Sequence, residues 1–326
     1  MLSVLTLLAG LALLLGGGAA LVRGAAGLAR KLGISPLVIG LTVVAFGTST
    51  PELAVNMIAV DRGANDVAFG NVVGSSLANI GLILGLSALV RPLVIHGQVL
   101  AREIPMMLLA AVFLLVLALD PALRGGPGVI DRADGVCLLL IFCVFLYTMV
   151  GDVVRQRRDP LAEQARERGR LRWHEGVPAD LVLIAVGLAG LIYGGDLTVS
   201  AATALALALG VPQAIVGLTI VAVGTSFPEL VTSAIATWRG ESDIAVGNVV
   251  GSNVFNTLFI LGLTATVSPV MVPAGGNFDL LATVVLSLVL LPLGFTHSRR
   301  IVRAEGIVLL AAWIGYTIWR SAGGAG

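Results

Sequence analysis

This chain carries little charge and almost none of the residues that enzymes use to bind soft metals. Of its 326 residues only 12% are Asp, Glu, Lys or Arg, three are histidine and two are cysteine, while 57% are hydrophobic. The mean hydropathy of +1.00 lies far above that of a soluble domain. His96, His174 and His297 fall in loops or at helix ends without metal-ligand spacing. Cys137 and Cys143 share one apolar stretch and read as buried thiols rather than a disulfide or a metal pair. An intramembrane metalloenzyme, with clustered His or Cys and a water-activating base, therefore has no support. A phosphate-binding loop is also missing, so ATP is not the energy source, and no cofactor is expected.

What the chain has instead is apolar runs long enough to cross a bilayer, at about 20 residues for roughly 30 Å of hydrocarbon. Ten are expected, at about 3–29, 35–60, 66–90, 100–119, 131–153, 179–208, 212–237, 243–268, 278–295 and 302–320. The first is too long for a secretory signal and lacks its basic start, so it reads as a retained helix. The one long hydrophilic connection, 154–178, separates a first five-helix half (1–153) from a second (179–326). With the N-terminus outside, 16 of the 20 Lys and Arg fall in cytoplasmic loops and four outside. That bias predicts a multi-pass cell-membrane protein with both termini external, and a loop 154–178 that is solvated and sets topology.

The halves are related. Gly40–Pro92 aligns without a gap to Gly217–Pro269 at a constant offset of 177 residues, with 31 of 53 positions identical. The repeat motifs occupy 39–92 and 216–269. Five spans per half is an odd number, so the second copy enters the membrane from the opposite side. The predicted fold is all-α, with ten transmembrane helices in two inverted five-helix repeats. Such a design places a binding site near the midplane, on broken helices, here the second and seventh.

Each copy carries one carboxylate beside a proline: Gly47-Thr-Ser-Thr-Pro-Glu52 and Gly224-Thr-Ser-Phe-Pro-Glu229. An acid held in hydrocarbon is costly and marks function. Proline lacks an N–H and excludes the carbonyl four residues back, so the helix around Gly47-Thr48-Ser49 is expected to open, with the glycine tolerating the bend. Opened carbonyls, with the oxygens of Thr48, Ser49 and Glu52 and of Thr225, Ser226 and Glu229, suit a hard cation. Ca²⁺ takes 6–8 oxygens at about 2.3–2.6 Å, and the same set divided into subsites suits Na⁺. The next helix of each copy reads Gly-Asn-Val-Val-Gly-Ser and adds Ser75 with Asn79, and Ser252 with Asn256, each pair one helical turn apart on one face. Asn71 and Asn248 are expected to hydrogen-bond between helices instead.

These paired segments resemble the two α-repeats of the Ca²⁺/cation antiporter superfamily, specifically its prokaryotic sodium/calcium exchangers. The resemblance spans the ten-helix layout and implies a core of the second, third, seventh and eighth helices, with the first and sixth sliding across it. It implies that Glu52 and Glu229 are shared Ca²⁺ and Na⁺ carboxylates. Thr48 and Thr225 would contribute carbonyls, as would Ala45 and Ala222 at outer Na⁺ subsites, and Ser49, Ser75, Ser226 and Ser252 hydroxyls. Some relatives have an acid where this chain has Asn256, and the amide argues against K⁺ co-transport. The proton/calcium branch has a further glutamate after its Gly-Asn pair where this chain reads Val-Val-Gly-Ser.

The function expected is secondary antiport of Ca²⁺ against Na⁺ by alternating access, electrogenic and K⁺-independent. An H⁺/Ca²⁺ or other divalent-cation exchanger is the alternative, and a cation channel is a weaker one. The expected partners are the two ions and the lipid bilayer, without nucleic acid, and a monomer suffices. Asp196 has Ala19 as its repeat counterpart and suits a helix-bend or gating role as well as a structural one. Asp66 and Asp243 sit at helix starts, where capping and a favourable interaction with the helix dipole explain them. The glycines Gly16-Gly17-Gly18 and Gly194-Gly195 are expected to give the sliding helices smooth surfaces.

Overall fold

In hydrocarbon every backbone polar group must be satisfied within its own segment, so apolar runs of this length fold as helices. The computed structural model describes residues 2–119, 128–157, 177–209 and 224–323. Its helices are α1 (Leu2–Leu32), α2 (Pro36–Thr48), α3 (Thr50–Asp61), α4 (Val67–Val90, continuing from Asn65), α5 (Val99–Ala118) and α6 (Arg132–Arg157). There follow α7 (Val177–Ala208), α8 (Phe227–Trp238), α9 (Ser242–Val267), α10 (Gly276–Phe295) and α11 (Arg303–Ser321). Among the described residues seven are long and apolar enough to cross a membrane, and α2 with α3 makes an eighth, broken span. The start of the span expected at 212–237, and most of the loop 154–178, lie outside the described residues.

Two short antiparallel ribbons, not foreseen from the sequence, tie helix ends together. Strand β1 (Leu93–Val94) pairs with β4 (Arg300–Ile301), and β2 (Val129–Ile130) with β3 (Val270–Met271). β1 and β3 each begin one residue after the prolines that end the aligned repeats, so the internal symmetry continues into the ribbons.

By its contacts the chain forms two compact units, each drawing on both halves of the sequence: Met1–Thr48 with Val144–Asn248, and Ser49–Cys143 with Val249–Gly326. In the first unit, α1 and α7 lie antiparallel at backbone contact. A Cβ at Gly17 would sit 2.8 Å from Gly187 O, one at Gly194 2.7 Å from Leu14 N, and one at Gly24 2.7 Å from Asp180 O. The α1 glycines that meet α7 backbone (Gly10, Gly17, Gly24) recur every seven residues, as do their partners Asp180, Gly187 and Gly194 on α7. That spacing keeps one seam facing the partner. Consecutive glycines do not share this role: Gly16 and Gly195 have nothing within 4 Å of a built Cβ. At one end Lys31 pairs with Asp180, and Arg30 lies 3.7 Å from Glu241.

In the second unit, glycine again sets the spacing. Gly85 of α4 meets Gly306 of α11, and Gly135 of α6 meets Gly262 of α9, each at under 3 Å from a built Cβ to a carbonyl oxygen. Phe142, Phe255 and Phe259 pack together, with centroids 5.0 and 5.1 Å from Phe142. Asp279 in the first turn of α10 accepts from Tyr316 Oη at 2.5 Å and Arg320 Nε at 3.0 Å, fixing the end of α11. The inner helices stand out by burial: 78% of the α4 span and 94% of the α9 span are buried, against 28% for α1, α6, α7 and α10. Polar groups on α4 and α9 are therefore sheltered from lipid.

Cys137 and Cys143 correct an expectation. Both are free and exposed on the surface of α6. An apolar span has the same composition on its lipid face as on its packed face, so hydropathy alone did not distinguish the two.

Candidate functional site

The break between α2 and α3 falls on one residue. Ser49 takes φ −84°, ψ 7°, Pro51 is the second residue of α3, and Leu53 N donates to Ser49 O at 3.2 Å. The second copy repeats this: Ser226 has φ −87°, ψ 7°, Pro228 is the second residue of α8, and Leu230 N donates to Ser226 O at 3.0 Å. This bridge-region conformation is sparsely populated and recurs at functional sites. Gly47 and Thr48, expected to open, remain helical. The glycines serve packing instead. A Cβ at Gly47 would meet the Leu188 side chain at 2.5 Å, and one at Gly224 the Val199 side chain at 2.3 Å, both on α7.

Restarting the helix at Thr50 and at Phe227 places Glu52 and Glu229 third in their helices, where the exposed N–H groups and the helix dipole favour negative charge. Both carboxylates are buried, at 0% and 1% exposure. The main chain behind each is braced by the asparagine that follows the conserved-spacing glycine of its copy. Asn71 Nδ2 donates to Glu52 O at 3.3 Å and to Asn56 Oδ1 at 2.7 Å. Asn248 Nδ2 donates to Glu229 O at 3.3 Å and to Ser233 Oγ at 3.0 Å. Thr48 Oγ1 donates to Asn248 Oδ1 at 3.0 Å. Asn71 and Asn248 thus make the helix-to-helix hydrogen bonds expected of them.

In the second unit Ser49, Ser75, Asn79, Ser252 and Asn256 are all buried, at 3% exposure or less. Asn79 opens a π-helical turn, Asn79–Leu84, and Asn256 lies in another, Phe255–Ile260. These wide turns sit at equivalent places in the two copies, and such turns are frequent at functional sites. Ser252 Oγ, Asn79 Oδ1 and both polar atoms of the Asn256 carboxamide have no hydrogen-bonding partner among the described residues. Buried polar atoms left in this way are costly. The oxygens among them are of the kind that a hard cation takes as ligands, whereas Asn256 Nδ2 can only donate. In the first unit Ser226 and Ala45 are buried and Thr225 is half-buried, its Oγ1 likewise without a partner. Ala222 lies outside the described residues.

Other candidates resolve as follows. Asp196 is exposed on α7. Asp66 and Asp243 are each the second residue of their helices, and the cap position before the first is held by Ala64. Asp243 thus lies inside the first turn, where the helix dipole favours its charge. Among the described residues no three His, Cys, Asp or Glu side chains form a metal cluster. Sequence reasoning missed Asn253 and Asn56, whose repeat counterparts are Ser76 and Ser233, and the buried Glu103, which accepts from Arg102 at 2.7 Å. A search for residues identical in both copies passes over such positions. A polar residue on the face of a buried helix would have signalled them.

Membrane-length helices, duplicated helix breaks bearing buried acids, and orphaned oxygens nearby in sequence define a multi-pass membrane protein of the ion-antiporter class, not an enzyme. The sequence model of the family described as sodium/calcium exchanger protein matches residues 2–151 and 180–322, and the chain belongs to that family. It is 36% identical over 313 residues to the putative antiporter CaxA of Alkalimonas amylolytica, covering 95% of both chains. It is 31% identical over 339 residues to the sodium/calcium exchanger MaX1 of Methanosarcina acetivorans, covering 96% of this chain and 97% of the relative. A solved structure of the sodium-calcium exchanger NCX_Mj, soaked with 10 mM Na⁺ and zero Ca²⁺, matches with a TM-score of 0.83 at 32% identity, over 98% of each chain.

Proposed function

We propose that this protein exchanges Ca²⁺ for Na⁺ across the cell membrane by alternating access. The observation that carries the reading is the duplicated helix break, with the same Ser49 and Ser226 dihedral angles and a buried glutamate three residues on in each copy. The relatives named sodium/calcium exchangers support the choice of ions. The ten-helix layout is two inverted repeats, 1–153 and 179–326, joined by a cytoplasmic loop at 154–178, with both termini outside. Glu52 and Glu229 are the carboxylates shared by the two ions. Ser49, Ser75, Ser226 and Ser252 add hydroxyls, Thr48, Thr225, Ala45 and Ala222 carbonyls, and Asn79 and Asn256 amide oxygens.

Charge explains the coupling. Two ionised glutamates offset one Ca²⁺, so Ca²⁺ and Na⁺ exclude each other from the same oxygens. More than two Na⁺ per Ca²⁺ makes the exchange electrogenic. With an amide at Asn256 there is no third acid for K⁺. The test is ⁴⁵Ca²⁺ uptake into proteoliposomes under imposed Na⁺, K⁺ or H⁺ gradients. Uptake that requires internal Na⁺, ignores K⁺ and responds to membrane potential is expected. Uptake driven equally by a pH gradient without Na⁺ overturns the coupling in favour of proton/calcium exchange.

A further inference from the structure

Ser76 O and Met107 Sδ are both acceptors without a hydrogen to give, and both face the side-chain amide of Asn253. Asn253 Nδ2 lies 3.3 Å from Ser76 O and 3.5 Å from Met107 Sδ. Only the NH₂ end of the carboxamide satisfies such a pair, so the direction of the Asn253 amide is fixed. Its Oδ1 must then point the other way, where Asn79 Nδ2 donates to it at 2.9 Å. Asn79 has no choice either: with its NH₂ committed to Asn253, its Oδ1 is turned elsewhere, and that oxygen is buried without a protein partner. Asn253 and Asn79 are 2% and 1% exposed, so water does not compete for the pairing.

The other copy lacks this lock. The counterpart of Asn253 is Ser76, whose hydroxyl is spent on Val72 O at 2.9 Å within its own helix. Asn256, the counterpart of Asn79, has neither amide atom partnered. The two pseudo-equivalent amides are therefore unequal, one held oxygen-first and one unheld.

We infer that Asn253 is a positioning residue that sets which end of the Asn79 carboxamide is presented to the transported cation. The inference rests on the proposed role of Asn79 as an oxygen ligand. An amide presented nitrogen-first would set two hydrogens against a cation, so removing the lock weakens binding without touching the ligand itself.

Na⁺-driven Ca²⁺ uptake in proteoliposomes separates the possibilities, with the unfolding midpoint in detergent measured alongside. Asn253→Ala is expected to raise the half-saturating Ca²⁺ concentration about tenfold, the scale of one lost buried hydrogen-bond preference. Asn253→Ser, which copies the first repeat, gives the same direction if the alanine variant does not fold. In an Asn79→Asp background, where an oxygen stands at both ends, Asn253→Ala should change half-saturation by less than about twofold, the scatter of independent sites. An equal loss in both backgrounds makes Asn253 merely structural and overturns the inference. So does an unchanged half-saturation for Asn253→Ala when Asn79→Ala raises it. If Asn79→Ala itself leaves half-saturation unchanged, it is the ligand role of Asn79 that fails, and the inference fails with it.

Discussion

Asn248 donates its side-chain amide to the main-chain carbonyl of Glu229 at 3.3 Å. A bond of the same length joins Asn71 to Glu52, 177 residues earlier in each partner. The glutamate that follows the helix break is thus held from behind in both copies, through its backbone. The brace differs in depth. Asn248 is fully buried and also bonds Ser233 Oγ and Thr48 Oγ1, while Asn71 is part-buried.

That difference sets the first prediction. Asn248→Ala takes the Asn248 amide from Ser233 Oγ and leaves Thr48 Oγ1 with only Ala45 O, at 3.3 Å, and should cost about 1–3 kcal/mol, the penalty of unsatisfied buried groups. Asn71→Ala should cost less, because Asn71 is itself only part-buried and bonds one other side chain, Asn56, where Asn248 bonds two. Unfolding midpoints in one detergent check the order, and a larger loss for Asn71→Ala contradicts it.

The second prediction concerns the acids. Glu52→Gln and Glu229→Gln keep shape and burial but remove one charge from the partner of a divalent ion. Removing one member of a buried charge pair costs about 3–5 kcal/mol, which at about 1.4 kcal/mol per decade is a loss of more than a hundredfold in Ca²⁺ exchange. Each variant should still insert and elute as the wild type does. Near wild-type uptake by either purified variant removes that glutamate from the site.

Glycine spacing gives the third. Gly187→Ala puts a Cβ 2.5 Å from Leu21 N, against backbone that has no side chain to swing away. The helices α1 and α7 must separate, at about 1–3 kcal/mol for overpacking. Gly16→Ala and Gly195→Ala meet open space and should be neutral or stabilising by up to about 1 kcal/mol through helix propensity. Thermal unfolding of the three variants measures the contrast. Equal effects would mean that the seven-residue seam does not set the α1–α7 spacing.

Much of this was legible in the sequence because the physics is one-dimensional there. Hydropathy over a bilayer length placed α1, α4, α5, α6, α7, α9 and α10 within a few residues of their observed ends. Proline chemistry put the break near Ser49 and Ser226, missing only that Gly47 and Thr48 stay helical. What was illegible depends on three-dimensional neighbours. The π-helical turns at Asn79–Leu84 and Phe255–Ile260 contain no proline to announce them. Asn253 escaped because its value lies in how it differs from Ser76, whereas a repeat is found by what its copies share. Cys137 and Cys143 were misplaced because lipid and protein interior are equally apolar solvents.

The last prediction tests the inverted layout. Arg62 and Arg239 are repeat equivalents, each exposed at the C-terminal end of the helix that carries the acid, and each followed by a glycine at positive φ, Gly63 at 69° and Gly240 at 82°. Single cysteines there are well placed for an impermeant thiol reagent, and Arg239→Cys loses only an exposed bond to Ala19 O. Because Cys137 and Cys143 are exposed on an apolar helix, they must first be replaced, by alanine, which adds no polar atom to a lipid-facing surface. The proposed five spans between the positions would put them on opposite faces, and the excess of arginine and lysine in alternate loops would give the sign. Position 62 should label from outside and position 239 only once the cytoplasmic face is accessible. Labelling of both from one face would mean an even number of crossings between the copies, and two carboxylates related by parallel rather than inverted repeats could not alternate access in the way proposed.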